Sequence, residues 1–186
     1  MIDTLQASYN IDSTRIYVNG ISNGGGMAFV LSCALSDRVA AVGVVAPAQS
    51  LSSSWRAKRP PVPVIAFHGT DDPLVPCDGG PLGDPFNPVK PIFPDARKFV
   101  ADWASRNRCA PKPTESSVAL DIRRIEYARC ANDAGVTFCT VHGGGHTWPG
   151  GERSLPEWHV GRTCNSIDAT GLMWEFFGKH WLAKRP

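Results

Sequence analysis

The chain has 186 residues, enough for one domain with a real core, and its 42% hydrophobic and 19% charged residues are the makeup of a folded globular protein. A net charge of +2 is too small to argue for nucleic acid or an anionic membrane surface as partner. No apolar run approaches the ~20 residues of a membrane span, and Met1 to Gln6 lack the basic start and apolar stretch of a signal peptide.

Ile2, Leu5 and Tyr9 sit at helical spacing, so residues 2–9 read as the end of an amphipathic helix. After a turn at residues 10–13, Arg15 to Val18 reads as a strand. Gly20 to Gly26 then reads as a tight turn and Met27 to Leu35 as a buried helix. Val39 to Pro47 and Val62 to Phe67 are near-continuous apolar runs, as expected of strands covered on both faces. Residues 76–94 are rich in glycine and proline and read as a long loop. Pro94 to Arg106 is predicted helical, with Phe99, Val100 and Trp103 on one face. Ile122 to Tyr127 and Val136 to Val141 read as strands, and Asp168 to Lys184 as a last helix. Strands alternating with helices predict an α/β fold, mostly parallel, with helices on both faces and its chemistry at the carboxyl ends of the strands.

Three polar motifs fall at those ends. Gly20-Ile21-Ser22-Asn23-Gly24 is G-x-S-x-G between a strand and a helix. A turn that sharp leaves no room for flanking side chains, hence glycine two residues either side of Ser22. It lifts Ser22 above the sheet, at the positive end of the next helix, and aims the Asn23 N–H at a developing oxyanion. His68 to Pro76 follows an apolar strand and carries adjacent carboxylates, Asp71 and Asp72, between which spacing alone does not choose. Gly143 to Gly151 follows the strand 136–141 and carries His146, with glycines that free the loop to bring the imidazole over Ser22. Each motif alone has a bland reading: an inert turn serine, a carboxylate capping a turn, a surface histidine. Their joint order of Ser, Asp, His, each after its own strand, is that of α/β-hydrolases, not of the chymotrypsin or subtilisin designs. His68, His142, His159 and His180 have no such support, and His142 and His180 read as structural. The six cysteines form no CxxC pair, which argues against a zinc ribbon; they read as disulfides or as small buried apolar residues.

GISNGGGMAF around Ser22, HGTDDPLVP, GGGHTWPGG around His146 and SIDATGLMWEFF in the last helix together resemble the polyhydroxybutyrate depolymerase and feruloyl esterase family of α/β-hydrolases. The resemblance runs along nearly the whole chain, which is taken as one catalytic domain over 1–186. It implies secretion, and it implies Asp72, the fifth residue of H-G-x-x-D, as the acid. It also implies a Cys109–Cys130 disulfide. The activity implied is hydrolysis of carboxylic esters through an acyl-enzyme on Ser22, without metal or organic cofactor, on a small-molecule or polymeric ester. Phe86, Phe93 and Trp148 are candidates to line an acyl pocket or simply to fill a loop core.

The family's strands before the nucleophile, and the loop that donates its second oxyanion N–H, have no counterpart here, so the domain is expected to be N-terminally truncated. Loss of one such donor costs ~10²–10³ in turnover. The nucleophile strand, mid-sheet in that family, is then expected to have an unpaired apolar edge, covered by another segment or by a second copy in a homo-oligomer. Two rival readings remain: a serine peptidase or acyltransferase on the same fold, and an inactive truncated domain.

Overall fold

The computed structural model describes residues 1–48, 59–153 and 155–183. In chain order they form α1 (Ile2–Ser8), β1 (Tyr17–Ile21), α2 (Asn23–Ala34), β2 (Ala41–Val45), β3 (Val64–Gly69), a two-stranded ribbon of β4 (Gly80–Pro81) and β5 (Ile92–Phe93), α3 (Ala96–Arg106), β6 (Thr114–Ala119), β7 (Ile122–Tyr127), a 3₁₀ turn (Ala131–Asp133), β8 (Val136–Val141), α4 (Glu157–Val160) and α5 (Ala169–Phe177). No helix among the described residues is long and apolar enough to cross a membrane.

The main sheet has the order β1-β2-β3-β8-β7-β6. The first four strands are parallel; β7 and β6 run antiparallel at one edge. Although β2, β3 and β8 are buried throughout, the two-residue period still sorts their side chains. Val42, Val44, Val64, Ala66, Val136 and Phe138 face a core built with Phe29 of α2 and Phe99 and Trp103 of α3. Ala41, Val45, Ile65, Phe67, Cys139 and Val141 face a second core built with Met173 and Phe177 of α5. The second layer packs close: a Cβ on Gly43 would lie 2.6 Å from the Met173 sulfur.

Local chemistry sets the helix ends. Asp95 caps α3, its carboxylate accepting from the Lys98 N–H at 2.7 Å, and Arg106 lies in its last turn, where a cation complements the dipole. Asn107, wholly buried, ties that end to the sheet by donating to the carbonyls of Val62 and Ala134. Asp168 caps α5 through the Thr170 N–H.

Several sequence expectations change. The first strand, expected over Arg15 to Val18, starts at Tyr17 and runs three residues further, through Gly20 to Ile21, and α2 begins at Asn23, so Gly24, Gly25 and Gly26 are the first turn of a helix rather than a loop. Helix α1 buries no residue: Ile2 is only half-buried and Leu5 is exposed, so its predicted apolar face is at most partly covered. Strand β6 was not foreseen, because its TESSVA sequence is exposed and polar at the sheet edge. Helix α5 stops at Phe177, not at 184, a position outside the described residues. His180 therefore lies beyond the helix, its carbonyl accepting the Tyr17 hydroxyl and its ring 4.6 Å from Phe176.

Candidate active site

Ser22 stands at the corner between β1 and α2 with φ 57° and ψ −124°, a conformation costly for any residue with a Cβ. Bonds on both sides hold it there: its N–H donates to Val45 O at 3.0 Å, and its carbonyl accepts from Gly26 at 2.9 Å and Ala48 at 3.0 Å. Glycine is needed at position 20, where a Cβ would lie 2.4 Å from the Gly24 carbonyl carbon. It is not needed at position 24, where a Cβ would meet nothing within 4 Å; the second tight approach is at Gly25, 3.1 Å from Pro47. The symmetric collision expected around Ser22 is therefore one-sided, because Gly24 already faces away on the helix. As the first helical residue, Asn23 has an N–H with no intrahelical acceptor.

Of the adjacent carboxylates, Asp71 is exposed and accepts the Thr70 hydroxyl, while Asp72 is buried. Asp72 Oδ1 accepts from the N–H groups of Leu74 (2.9 Å) and Val75 (2.8 Å), and Oδ2 lies 2.7 Å from His146 Nδ1. Burial works against its ionisation, but the hydrogen bonds from His146 and His68 and their charges outweigh it and hold the carboxyl at about 2. The strands explain how residues 74 apart meet: β3 and β8 are parallel neighbours with Gly69 beside Val141, and the two loops leave the same rim.

The glycines before His146 do not loosen its loop. A Cβ on Gly69 would lie 2.1 Å from Gly144 O, and one on Gly145 2.2 Å from Val160 O. The loop is pinned by Gly143 N–H to the Thr70 hydroxyl (2.8 Å), Gly145 N–H to Arg162 O (2.8 Å) and His146 N–H to Val160 O (2.6 Å). The Arg162 guanidinium donates to the carbonyls of His142 and Gly143. The glycines serve close backbone packing, which fixes the imidazole rather than freeing it.

Ser22 and His146 line one cleft of about 420 Å³, together with Leu74, Trp148, Leu155 and His159 and the charged Asp84, Glu152 and Arg153. Trp148 both faces this cleft and donates its indole N–H to the Thr170 hydroxyl of α5. Phe86 is not in the cleft wall; it is 75% exposed and meets His159 at a ring separation of 6.0 Å, on the rim. Phe93 is buried away from the cleft, among Phe99, Val100 and Phe138. Cys109 and Cys130 form a disulfide. His68, for which the sequence gives no support like that of His146, is buried with its Nε2 3.5 Å from Asp72 Oδ2. Also missed were α4, which supplies His159 and the Val160 carbonyl, and Arg162; a four-residue helix leaves too little periodicity to detect.

The family model described as phospholipase/carboxylesterase matches residues 1–86, which hold the Ser22 corner and the Asp72 loop. The chain is 35% identical over 189 residues to NocK of Nocardia uniformis subsp. tsuyamanensis, a protein that carries an esterase name; the match covers 95% of this chain and 54% of that one. It is 32% identical over 139 residues to feruloyl esterase B of Piromyces equi, covering 73% of this chain and 25% of the relative. It is 34% identical over 171 residues to feruloyl esterase C of Emericella nidulans, covering 90% and 51%. The chain thus spans about half the length, or less, of the relatives it matches. A solved structure titled as a thermostable esterase superposes over 97% of this chain and 35% of its own, with a TM-score of 0.53 and 17% identity, a likeness of fold. Sheet order, the sharp strand-to-helix corner at Ser22 and these matches define the α/β-hydrolase fold. Within that fold, the chain is similar to proteins named as esterases, feruloyl esterases among them.

Proposed function

We propose that the chain hydrolyses carboxylic esters through an acyl-enzyme on Ser22. The observation that carries this reading is a buried carboxylate–imidazole pair, Asp72 and His146, opening on the same cleft as a serine held in a strained corner. With Nδ1 engaged by Asp72, the other ring nitrogen of His146, Nε2, is the one that takes the Ser22 proton as Oγ attacks the ester carbonyl. The Asn23 N–H stabilises the oxyanion. His146 then passes the proton to the departing alkoxide, leaving the acyl group on Ser22. A water, deprotonated in turn by His146, attacks that acyl carbon and releases the acid and the free serine.

The cleft favours a flat apolar acyl group laid against Trp148, with Phe86 and His159 at the mouth meeting what projects outward. Hydroxycinnamate esters fit that description, and two of the relatives are named feruloyl esterases. Secretion belongs to the same reading, because the Cys109–Cys130 bond persists in an oxidising compartment. Ser22→Ala should lower turnover of a chromogenic short-chain ester by at least ~10³-fold. Unchanged turnover in that variant removes Ser22 from its role. A fluorophosphonate probe that leaves Ser22 unlabelled would instead favour an inactive domain. A panel of hydroxycinnamate, short alkyl and polyhydroxybutyrate esters separates the substrate classes.

A further inference from the structure

Asp72 is held by more than its catalytic partner. His68 lies on β3, four residues before it, with a side chain only 4% exposed. The His68 Nε2 is 2.8 Å from the Val75 carbonyl oxygen and 3.5 Å from Asp72 Oδ2, the oxygen that also receives His146 Nδ1. A carbonyl can only accept, so Nε2 carries a hydrogen whatever the state of the other ring nitrogen. The contacts close a circuit. Asp72 Oδ1 accepts the Val75 N–H, the Val75 carbonyl accepts the His68 N–H, and that N–H stands against Asp72 Oδ2. At 3.5 Å the last contact is longer than a good hydrogen bond, but it lies in a buried site where a dipole beside a charge is poorly screened. The His68 ring also lines a small apolar pocket with Pro47, Phe93, Phe99 and Phe138. The titratable groups facing Asp72 are His68 from β3 and His146 from the loop after β8; Cys77, further along Asp72's own loop, feels its charge.

We propose that His68 is a positioning residue: its Nε2–H shares Oδ2 with His146 and thereby sets how strongly the carboxylate holds the catalytic imidazole. This rests on the reading of Asp72 and His146 as the acid–base pair. The sign follows from the chemistry. A donor draws charge from Oδ2, so without it the carboxylate binds the His146 Nδ1–H more tightly and favours the imidazolium.

The test compares His68→Leu with His68→Gln, whose amide nitrogen stands near the place of Nε2. In His68→Leu the acid limb of the kcat/KM profile should move to higher pH by about half a unit or more, and the His146 Nδ1–H proton resonance should move downfield. His68→Gln should return both towards the unsubstituted protein. Equal behaviour of the two variants, or an unmoved limb and resonance in His68→Leu, reduces His68 to packing and overturns the proposal. Nitrogen NMR of the unsubstituted protein must find the His68 hydrogen on Nε2; a hydrogen on Nδ1 alone refutes the proposal even if neither variant folds. The NMR readings need no turnover, so loss of the esterase reading through an active Ser22→Ala would leave them decisive for His68.

Discussion

Asp72 keeps its charge where water does not reach it, with four polar groups from three segments arranged around two oxygens. Lowering its pKa from the ordinary 3.8 to about 2 makes it a stabilising charge as well as an orienting one. A carboxyl that binds protons less readily when folded contributes fully above its unfolded value, and loses that contribution as pH falls through the folded one. Asp72→Asn should therefore be less stable than the unsubstituted protein by roughly 2 kcal/mol at pH 6, with the gap closing between about pH 4 and 2. Urea unfolding across that range measures it; a gap constant with pH would mean that the charge is not what stabilises. The same substitution should cost turnover about 10⁴-fold, because an amide no longer selects the Nδ1–H tautomer. Burial, outweighed at Asp72 by hydrogen bonds, prevails at the thiols, pushing Cys139 up to about 12 and Cys77 up to about 11, which leaves both as neutral core residues at physiological pH.

Two backbone crossings hold the site at the level of elements. The first is β1 against the start of α2 at Gly20; the second is the end of β3 against the loop after β8 at Gly69 and Gly144. Both bring backbone against backbone, so a side chain can be admitted only by moving an element. Gly69→Ala should lower stability by about 1–3 kcal/mol and depress kcat, since the two loops it would part carry Asp72 and His146. Gly24→Ala is the control: its Cβ enters open space in a helix, where alanine is favoured over glycine by up to about 1 kcal/mol, so stability should hold or rise. Thermal unfolding of the pair reads the contrast. Equal losses would mean that general glycine content, rather than close approach, governs both positions.

Among the described residues the sheet has two edges, the polar β6 at one end and β1 at the other. β1 ends the six-stranded order, and no strand among the described residues pairs with its outer edge. Nearby, Trp174 is 63% exposed and meets Tyr17 of β1 edge to face. An unpaired strand beside exposed aromatics is a template for another chain. The chain in isolation is expected to self-associate as its concentration rises from about 1 to 100 µM, which sedimentation velocity would show. A monomer over that whole range would mean that the edge is protected in some other way.

Strands buried on both faces announced themselves as apolar runs, and the three polar motifs fall at strand ends on one rim of the sheet, where side chains remote in the chain can meet. The contact of Asp72 with His146 and the cleft shared by His146 and Ser22 follow from that placement, and β7 and β8 were legible to the residue. Position 22 carried its meaning in a local constraint, the glycine that lets a strand turn sharply into a helix. What tertiary structure decided were pairings between residues remote in the chain. Burial separated Asp72 from Asp71, packing rather than freedom explained the glycines before His146, and parallel pairing of β3 with β8 brought His68, Val75 and His146 around one carboxylate. Periodicity reports which face of an element is buried; it carries no record of what that face is buried against.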